Sequence, residues 1–559
     1  MPILTDAWMF SRGVLNSTYR AAVSGLNQTL TKRSATVVDV TKFGPKCPQP
    51  GKVTEQSEDC LYINVYSPLN ASSNPLPVLL FIHGGAWQMG AGSDYDPTFI
   101  MNTAAANGQP LIVATLNYRL NIFGFLASSD LANLAGLDPS GCSASTDHCK
   151  TSNVGSEPVG INLGYQDIKM AIKWTYSNIR SFGGDPNKII IWGQSAGAFG
   201  VGAQLVGHAG TPLANGEAQS SSNPPRPLFR GAILHSGAPT GPAMPLPQDR
   251  DLIWNTTLIA TKCNVQGAQR RVDCLRGINW HHLLEESRSV PDAVSFDTDG
   301  PYLLGSYPWS PVVDGGSSRG GFFDGAPSRI LARGDFASVP LIAGNCDDEG
   351  TLFAPRQFTS PEKFESWFRQ VHFAMDNSIV SDDAYASIAA AYPDDPTVGS
   401  PYNPTNGNKT DRFFPGFDNQ FKRAASLYGD IRFQANRRFL LEAGIQSNNT
   451  PAAWTFAWSD PPPKAPVWHG VAHGNDLDAV FGNRKSPLDA IMARQWASFA
   501  YSLDPAAAGG DLPAWPKYDL TNRPMLSYVN GQTTLIKDDY RDAAMAILNS
   551  GQLRMITNR

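Results

Sequence analysis

The fold of this chain is decided by residues 189–198, whose sequence is Ile-Ile-Ile-Trp-Gly-Gln-Ser-Ala-Gly-Ala. A β-branched apolar run that ends in Gly-x-Ser-x-Gly predicts a strand that turns sharply into a helix and exposes the Ser195 hydroxyl. Gly193 and Gly197 lack Cβ atoms, so the strand and the helix can approach closely. The amide N–H of Ala196 then lies at a helix N-terminus, where it can donate to an oxyanion. The stretch predicts a nucleophilic serine, and a chance glycine-serine turn is the alternative.

A second segment supplies further backbone donors. Residues 78–82 (Val-Leu-Leu-Phe-Ile) predict a buried strand, and the loop His83-Gly84-Gly85-Ala86-Trp87 follows it. Small residues let backbone N–H groups approach a ligand without interference from Cβ atoms. A His-Gly-Gly loop after a central strand is typical of the oxyanion hole of a hydrolase, and a simple tight turn is the alternative.

Apolar strand patterns recur along the chain and alternate with helical ones. Further strands are predicted at residues 111–116, 231–235, 339–343 and 454–458. Residues 165–180 predict a helix, because five apolar side chains fall on one face: Ile168, Ala171, Ile172, Tyr176 and Ile179. The alternation predicts an α/β fold, with a mainly parallel central sheet, helices on both faces, and large loop and helical excursions.

No internal repeat or clear linker divides this pattern. Residues 37–545 are therefore predicted to form one domain, preceded by an atypical N-terminal segment (1–36) and followed by a C-terminal tail (546–559). Residues 1–30 show no charged region followed by a long apolar one, so no signal peptide is visible.

Composition and charge exclude several classes of partner. The net charge is −5 and the chain has no basic run, which argues against nucleic acid. No apolar run approaches the ~20 residues of a membrane span, and no metal-ligand cluster or cofactor motif is apparent. Six of the seven cysteines fall into close couples, with Cys346 left over. Such couples are typical of disulfides formed in an oxidising compartment, and reduced cysteines in a cytosolic enzyme are the alternative.

A serine nucleophile needs a base, and the base needs an orienting acid. The run Asp347-Asp348-Glu349 follows a predicted strand and offers three carboxylates. Two histidines, His469 and His473, lie past the last of these strands. Position alone does not separate the members of either set.

The chain resembles the type-B carboxylesterase/lipase family, the cholinesterase-like branch of the α/β-hydrolases, and looks most like its fungal members. Several blocks carry this resemblance in the right order: Ser57-Glu58-Asp59-Cys60-Leu61-Tyr62, Asn117-Tyr118-Arg119, Gly193-Gln194-Ser195-Ala196-Gly197, Asp348-Glu349-Gly350 and His473-Gly474-Asn475-Asp476. The resemblance implies an α/β-hydrolase fold with Ser195 as nucleophile, Glu349 as acid and His473 as base. Asp348 is the alternative acid.

The resemblance implies further roles for individual positions. The oxyanion donors match Gly85, Ala86 and Ala196, and Ser236 matches a residue near the triad. Gln194 stands where many members have glutamate, which removes a negative charge but keeps a hydrogen-bonding side chain. The expected disulfides are Cys47–Cys60 and Cys263–Cys274, with Cys142–Cys149 as a third couple that is not general in the family.

The expected function is hydrolysis of small-molecule carboxylic esters through an acyl-enzyme, without metal or cofactor. Lipases of the family are thought to cover the site with a flap inside the first disulfide loop. Here residues 48–59 contain two prolines and too few apolar side chains for an amphipathic helix, which favours soluble short- to medium-chain esters. The alternatives are an interfacial lipase or sterol esterase and, from another class, a non-enzymatic binding or adhesion module. The cysteine couples and the resemblance favour a secreted glycoprotein, with six Asn-x-Ser/Thr sequons.

Overall fold

The computed structural model describes residues 20–24, 41–51, 53–69, 74–137, 160–207, 227–241, 244–294, 308–315, 321–323, 325–356, 360–373, 382–411, 414, 416–507, 509–510 and 512–550. Its strands are Arg20–Ser24 (β1), Tyr62–Tyr66 (β2), Leu76–Ile82 (β3), Ile112–Leu116 (β4), Gly184–Gln194 (β5), Gly231–His235 (β6), Leu341–Cys346 (β7), Ala453–Trp458 (β8), Pro524–Val529 (β9) and Gln532–Lys537 (β10). They form one ten-stranded sheet in the order β1-β2-β4-β3-β5-β6-β7-β8-β9-β10.

The sheet is mainly parallel, as the sequence predicts. Within it, β2 runs antiparallel to β4, and β10 runs antiparallel to β9. All other neighbouring pairs are parallel. Parallel strands place their carboxyl ends at one edge of the sheet, so the loops after β3, β5, β6 and β7 come together there.

Helices connect and cover these strands. Their bounds are Thr98–Ala106 (α1), Asn121–Phe125 (α2), Ser129–Leu134 (α3), Leu163–Asn178 (α4), Ala196–Val206 (α5), Asp251–Ala260 (α6), Ala268–Arg276 (α7), Trp280–Val294 (α8), Pro327–Ala332 (α9), Pro361–Phe373 (α10), Asp382–Ala391 (α11), Phe421–Gly429 (α12), Ala435–Gln446 (α13), Asn475–Val480 (α14), Pro487–Ser502 (α15) and Asp542–Leu548 (α16). A π-helical turn, Asp430–Gln434, joins α12 to α13.

Helices cover both faces of the sheet, because alternate residues of each central strand point to opposite sides. Leu80 and Ile82 of β3 belong to a core cluster that includes residues of α4 and α5. Leu79 and Phe81 belong to a second cluster that includes residues of α1 and α15. The predicted α/β-hydrolase architecture is confirmed.

Helix α4 differs from its prediction in one core contact. The sequence predicts Tyr176 on the buried face, but this residue is 39% exposed. Thr175 is buried instead, and its hydroxyl donates to the Ala171 carbonyl at 2.8 Å. Because this bond satisfies the hydroxyl, threonine can occupy the core position and the large phenol stays at the surface.

Strand β1 and two disulfides are further features of the fold. Strand β1 lies within the segment 1–36 that the sequence separates from the domain, and it pairs in parallel with β2. The domain boundaries themselves stay a prediction. Disulfides join Cys47 to Cys60 and Cys263 to Cys274, and Cys346 is buried and reduced. The predicted couple of residues 142 and 149 lies outside the described residues.

Candidate active site

The sharp turn at Ser195 has the geometry that the motif predicts. Strand β5 ends at Gln194 and α5 begins at Ala196, with Ser195 between them at φ 56° and ψ −127°. Its amide N–H donates to the His235 carbonyl at 2.9 Å. A Cβ added at Gly197 would lie 2.0 Å from a carbonyl oxygen of β3, so only glycine permits this close approach. The strained backbone aims Ser195 away from the sheet, at the N-terminus of a helix.

The loop after β3 lies against this turn. A Cβ added at Gly84 would lie 3.0 Å from the Cβ of Ser195. Gly85, Ala86 and Trp87 all adopt positive φ values, of 103°, 55° and 63°. Among the residues that the structure describes, the amide N–H groups of Gly85 and Ala86 have no hydrogen-bond acceptor. The loop therefore presents unused donors beside the serine, as an oxyanion hole requires.

The loop after β7 carries an acid that contacts an imidazole in the loop before α14. A bridge between Asp348 and Ala472 brings the two segments together. The next residue on each side, Glu349 and His473, then form a short hydrogen bond of 2.6 Å between Oε2 and Nδ1. The structure thus selects Glu349 and His473 as the pair that touches, and leaves His469 outside it.

The Glu349 carboxylate is buried, and hydrogen bonds satisfy both of its oxygens. Oε2 accepts from His473 Nδ1, as described above. Oε1 accepts from the Ser236 hydroxyl at 2.6 Å, the Cys346 amide at 2.8 Å and the Asn345 side-chain amide at 3.2 Å. Donors that surround a buried carboxylate offset the cost of removing its charge from water. Ser236, expected near the triad, accordingly contacts Glu349, the candidate acid.

Asp348, the alternative acid, makes a different set of contacts. Its two oxygens accept from the Ser400 hydroxyl at 2.7 Å, the Tyr402 amide at 2.9 Å and the Val471 amide at 2.9 Å. Burial raises the pKa of this carboxyl, while these bonds oppose the rise. Asp347 accepts from Ser459 at 3.0 Å, and burial together with the charge of Asp348 raises its pKa to about 7. Asp348 therefore ties the segment before His473 to two other loops.

Gln194 contacts the other side of the imidazole. Its side chain is only 6% exposed, and its Nε2 lies 3.3 Å from His473 Nε2. The rings of Phe433 and Phe353 lie 4.6 and 5.1 Å from the His473 ring, centroid to centroid. The imidazole is thus confined by an acid, an amide and two aromatic faces.

Sequence reasoning did not find two buried groups that support this site. Arg437 donates from Nε to the Asn345 side-chain oxygen at 2.8 Å and pairs with Asp538 at 2.8 Å. No local pattern marks this link, because Arg437 lies far along the chain from both partners. His235 faces Asp476 at 2.8 Å. Burial opposes ionisation of Asp476, but His235 more than offsets it and the pKa of Asp476 is lowered.

Comparison with known proteins places this geometry in a family. Residues 29–136 and 152–548 match the model of the carboxylesterase family. The chain belongs to the carboxylesterase family. It is 31% identical over 503 residues to a secreted triacylglycerol lipase of Gibberella zeae, a match that covers 89% of this chain and 75% of that lipase. It is 30% identical over 502 residues to lipase 2 of Geotrichum candidum, covering 89% of this chain and 78% of that lipase. Among solved structures it resembles a PNB esterase, with a TM-score of 0.65, 25% sequence identity, and coverage of 92% of this chain and 90% of the esterase.

Membership of the carboxylesterase family makes this chain a serine carboxylic-ester hydrolase, and an ester is its class of substrate. Two of the fungal relatives are named as secreted, and the chain itself contains disulfides. Over the described residues, no helix is long and apolar enough to cross a membrane.

Proposed function

We propose that Ser195, His473 and Glu349 form the catalytic triad of this esterase. The observation that carries the proposal is the 2.6 Å hydrogen bond between Glu349 and His473. The His473 imidazole also lies against Gln194, the residue before Ser195. The acid holds the imidazole in the tautomer that can accept a proton at Nε2. His473 then removes the Ser195 proton, the hydroxyl oxygen attacks the ester carbonyl, and His473 protonates the departing alcohol. Water hydrolyses the acyl-enzyme by the same route.

The negative charge that develops on the carbonyl oxygen is held by the amide N–H groups of Gly85, Ala86 and Ala196. The first two are the unused donors described above, and the third lies at the N-terminus of α5. In other hydrolases, removing one such donor costs about 3–4 kcal/mol of transition-state stabilisation. The fixed left-handed conformations of residues 85 and 86 mean that little reorganisation is needed when the charge forms.

A serine-to-alanine variant tests the triad. Ser195→Ala should reduce turnover of p-nitrophenyl acetate by at least about 10³-fold, because the nucleophile is lost while the oxyanion hole remains. The melting temperature should stay close to that of the wild type, since alanine fits the turn. A folded variant with wild-type turnover would contradict the proposal.

We propose further that the enzyme prefers soluble short- to medium-chain esters. The loop inside the Cys47–Cys60 disulfide is tied to the loop that carries the oxyanion donors. The Gln49 side chain bonds both the N–H and the carbonyl of Gly90, at 2.9 and 3.1 Å, and Asn121 donates to the Pro48 carbonyl at 2.8 Å. These bonds hold the loop in place, which supports a site without a movable amphipathic flap.

An interfacial lipase is the second candidate, because several relatives are named as lipases. The two candidates differ in how the rate depends on substrate concentration. An esterase should show smooth saturation with a short ester through its solubility limit. A sharp rise in rate when an emulsion forms would favour the lipase and show that another segment acts as the lid.

We propose that the enzyme is secreted. The fungal relatives named as secreted and the two disulfides support this proposal. Peptide mapping without reductant should recover residues 47 and 60 linked, residues 263 and 274 linked, and the predicted third couple, 142 and 149. Alkylation of all seven cysteines without reductant would count against both the pairing and secretion.

A further inference from the structure

Two consecutive peptide units carry the unused donors of the loop after β3. The amide N–H of Gly85 belongs to the Gly84–Gly85 peptide, and that of Ala86 belongs to the Gly85–Ala86 peptide. Because a trans peptide is planar, its C=O and N–H groups point in opposite directions. The group that holds a carbonyl oxygen of this loop therefore also decides where the N–H of the same peptide points.

The two carbonyl oxygens are held in different ways. The Gly85 carbonyl accepts from the backbone amides of Gln88 and Met89, at 2.9 and 3.1 Å. The Gly84 carbonyl accepts from a side chain, His83 Nδ1, at 2.8 Å. Among the residues that the structure describes, it has no second donor. Backbone bonds thus fix one peptide, whereas the other depends on one imidazole.

The Gly84–Gly85 peptide has little conformational restraint of its own. Neither residue has a Cβ, so many orientations of this peptide plane are accessible, and Gly85 already adopts a φ of 103°. Half a turn of the plane would replace the N–H by a carbonyl oxygen, whose partial negative charge would repel an oxyanion. The hydrogen bond from His83 opposes that rotation.

The protonation state of the His83 ring follows from its surroundings. A carbonyl oxygen can only accept, so Nδ1 carries the hydrogen. Burial lowers the pKa of His83 to about 4, so above that pH the ring is neutral and Nε2 has a lone pair. In the described part of the chain, Nε2 is buried without a hydrogen-bond partner. Such an atom costs free energy, which calls for a role of the ring at its other nitrogen.

Tyr118 holds this ring in place. The two rings are stacked, with centroids 4.5 Å apart and an angle of 21° between their planes. The Tyr118 hydroxyl donates to the His83 carbonyl at 3.0 Å. A Cβ added at Gly90 would lie 2.5 Å from His83 Nδ1, so the loop also packs closely against the ring. The imidazole is therefore fixed on one face by the tyrosine and at Nδ1 by the loop that it supports.

We infer that His83 is a positioning residue: its Nδ1–H holds the Gly84 carbonyl, which aims the Gly85 N–H at the developing oxyanion. This inference rests on the proposed oxyanion hole. The peptide lies at the right place for this role, since a Cβ added at Gly84 would lie 3.0 Å from the Cβ of Ser195. His83 acts through the peptide rather than on the ester.

Three variants at residue 83 test the inference. His83→Leu and His83→Asn have nearly the same shape and both lose the stacked ring, but only asparagine can donate near the position of Nδ1. His83→Phe keeps a ring against Tyr118 and lacks the donor, which provides a test if the Leu variant does not fold. The melting temperature of each variant identifies any loss through unfolding.

Two inhibitors separate the oxyanion hole from the rest of the site. Ser195 adds to the ketone trifluoroacetophenone: the oxygen–carbon bond forms, the carbonyl π electron pair moves to the ketone oxygen, and His473 takes the serine proton. The new oxyanion then occupies the hole. The ether p-nitrophenetole has no carbonyl group and binds without forming an oxyanion. Turnover of p-nitrophenyl acetate gives kcat/KM for each variant.

The donor at residue 83 should matter only where an oxyanion forms. Removing one oxyanion donor from another hydrolase lowers kcat about 10²–10³-fold, and a misdirected donor is a partial loss. His83→Leu and His83→Phe should therefore lower both kcat/KM and the affinity for trifluoroacetophenone by about 10–100-fold. His83→Asn should recover at least about 5-fold of this loss, because its amide can hold the Gly84 carbonyl. The inhibition constant of p-nitrophenetole should change by less than about 2-fold in all three.

The contrary results are distinct. Unchanged ketone affinity in the folded Leu and Phe variants would overturn the inference. An Asn variant as impaired as the Leu variant would also overturn it, as would an equal loss of p-nitrophenetole affinity, which would indicate damage to the whole pocket. Full activity of Ser195→Ala would instead overturn the proposed triad. The inference alone fails if Ser195→Ala is inactive while loss of the donor at residue 83 leaves the ketone affinity unchanged.

Discussion

The adjacent carboxylates Asp348 and Glu349 allow a sharp test of the site, because both are 1% exposed and yet have different contacts. The matched variants are Asp348→Asn and Glu349→Gln, which keep side-chain volume and remove one charge. In Glu349→Gln, the amide can no longer hold the imidazole as a charged acceptor. Replacing the triad acid by its amide in another serine hydrolase lowers kcat by about 10⁴, so a loss of about 10³–10⁴ is expected here.

Asp348→Asn should act mainly on stability. One carboxylate oxygen accepts from two donors, Ser400 and Tyr402, and the other accepts from the Val471 amide. The side-chain oxygen of an asparagine can keep the hydrogen bonds of one carboxylate oxygen, but its NH₂ group must then face a buried donor. The lost charged bond and the unsatisfied donor cost about 1–3 kcal/mol each, so the free energy of unfolding should fall by about 4 kcal/mol. In the fraction that remains folded, kcat should stay within about 10-fold of the wild type.

Urea unfolding gives the free energy of each variant, and p-nitrophenyl acetate turnover gives kcat for the folded protein. The two effects should separate: Glu349→Gln loses catalysis with little change in stability, and Asp348→Asn does the reverse. Loss of turnover in Asp348→Asn together with near-normal turnover in Glu349→Gln would refute the assignment of the acid. The alternative acid would then be correct.

Three further predictions concern other parts of the structure. His473→Ala should remove nearly all turnover and His469→Ala should leave most of it, since only the former touches the acid; comparable losses in both folded variants would contradict this. Burial opposes ionisation of Asp538, but Arg437 holds its pKa well below the usual range. Its contribution to stability is therefore complete above about pH 4 and lost as pH falls further. Asp538→Asn should lower the free energy of unfolding at neutral pH by about 3–5 kcal/mol and flatten its acid dependence, measured by urea titration. Gly197→Ala should abolish turnover and lower the melting temperature, because its Cβ would lie 2.0 Å from a carbonyl oxygen of β3; an active, stable variant would exclude this packing.

The sequence predicts the sheet well because its central strands are buried on both faces. Strand β3 is buried along its whole length, and its apolar run is continuous in the sequence. The sharp turn after β5 is likewise local, since Gly193 and Gly197 are needed within a few residues of Ser195. In contrast, the order of the strands depends on which pairs meet, and no local pattern records that order.

The supports of the site could not be predicted for the same reason. Asn345 is a lone polar residue in the apolar strand β7, whereas Arg437 is one of several polar residues in α13, and nothing in either segment indicates that the two meet. Their contact exists because β7 and α13 pack together, which places the guanidinium against the side-chain oxygen of Asn345. The surface position of Tyr176 is a smaller case, since two neighbouring residues of α4 were both compatible with the core face.

The proposed choice of acid rests on burial and hydrogen bonding, because position along the chain leaves three carboxylates open. Three carboxylates follow β7, and each is removed from bulk water to some degree, so each needs donors. Asp347 accepts a hydrogen bond from the Ser459 hydroxyl and has a raised pKa. Asp348 accepts hydrogen bonds from donors in two distant loops. Only Glu349 reaches an imidazole, and donors from β7 and from the end of β6 hold its other oxygen. Because the Asp348 contacts fix the loop that carries His473, this carboxylate supports the neighbouring pair that we propose for the reaction. In the proposed site, Asp348 anchors the loop and Glu349 orients the base, so the two acids have complementary roles.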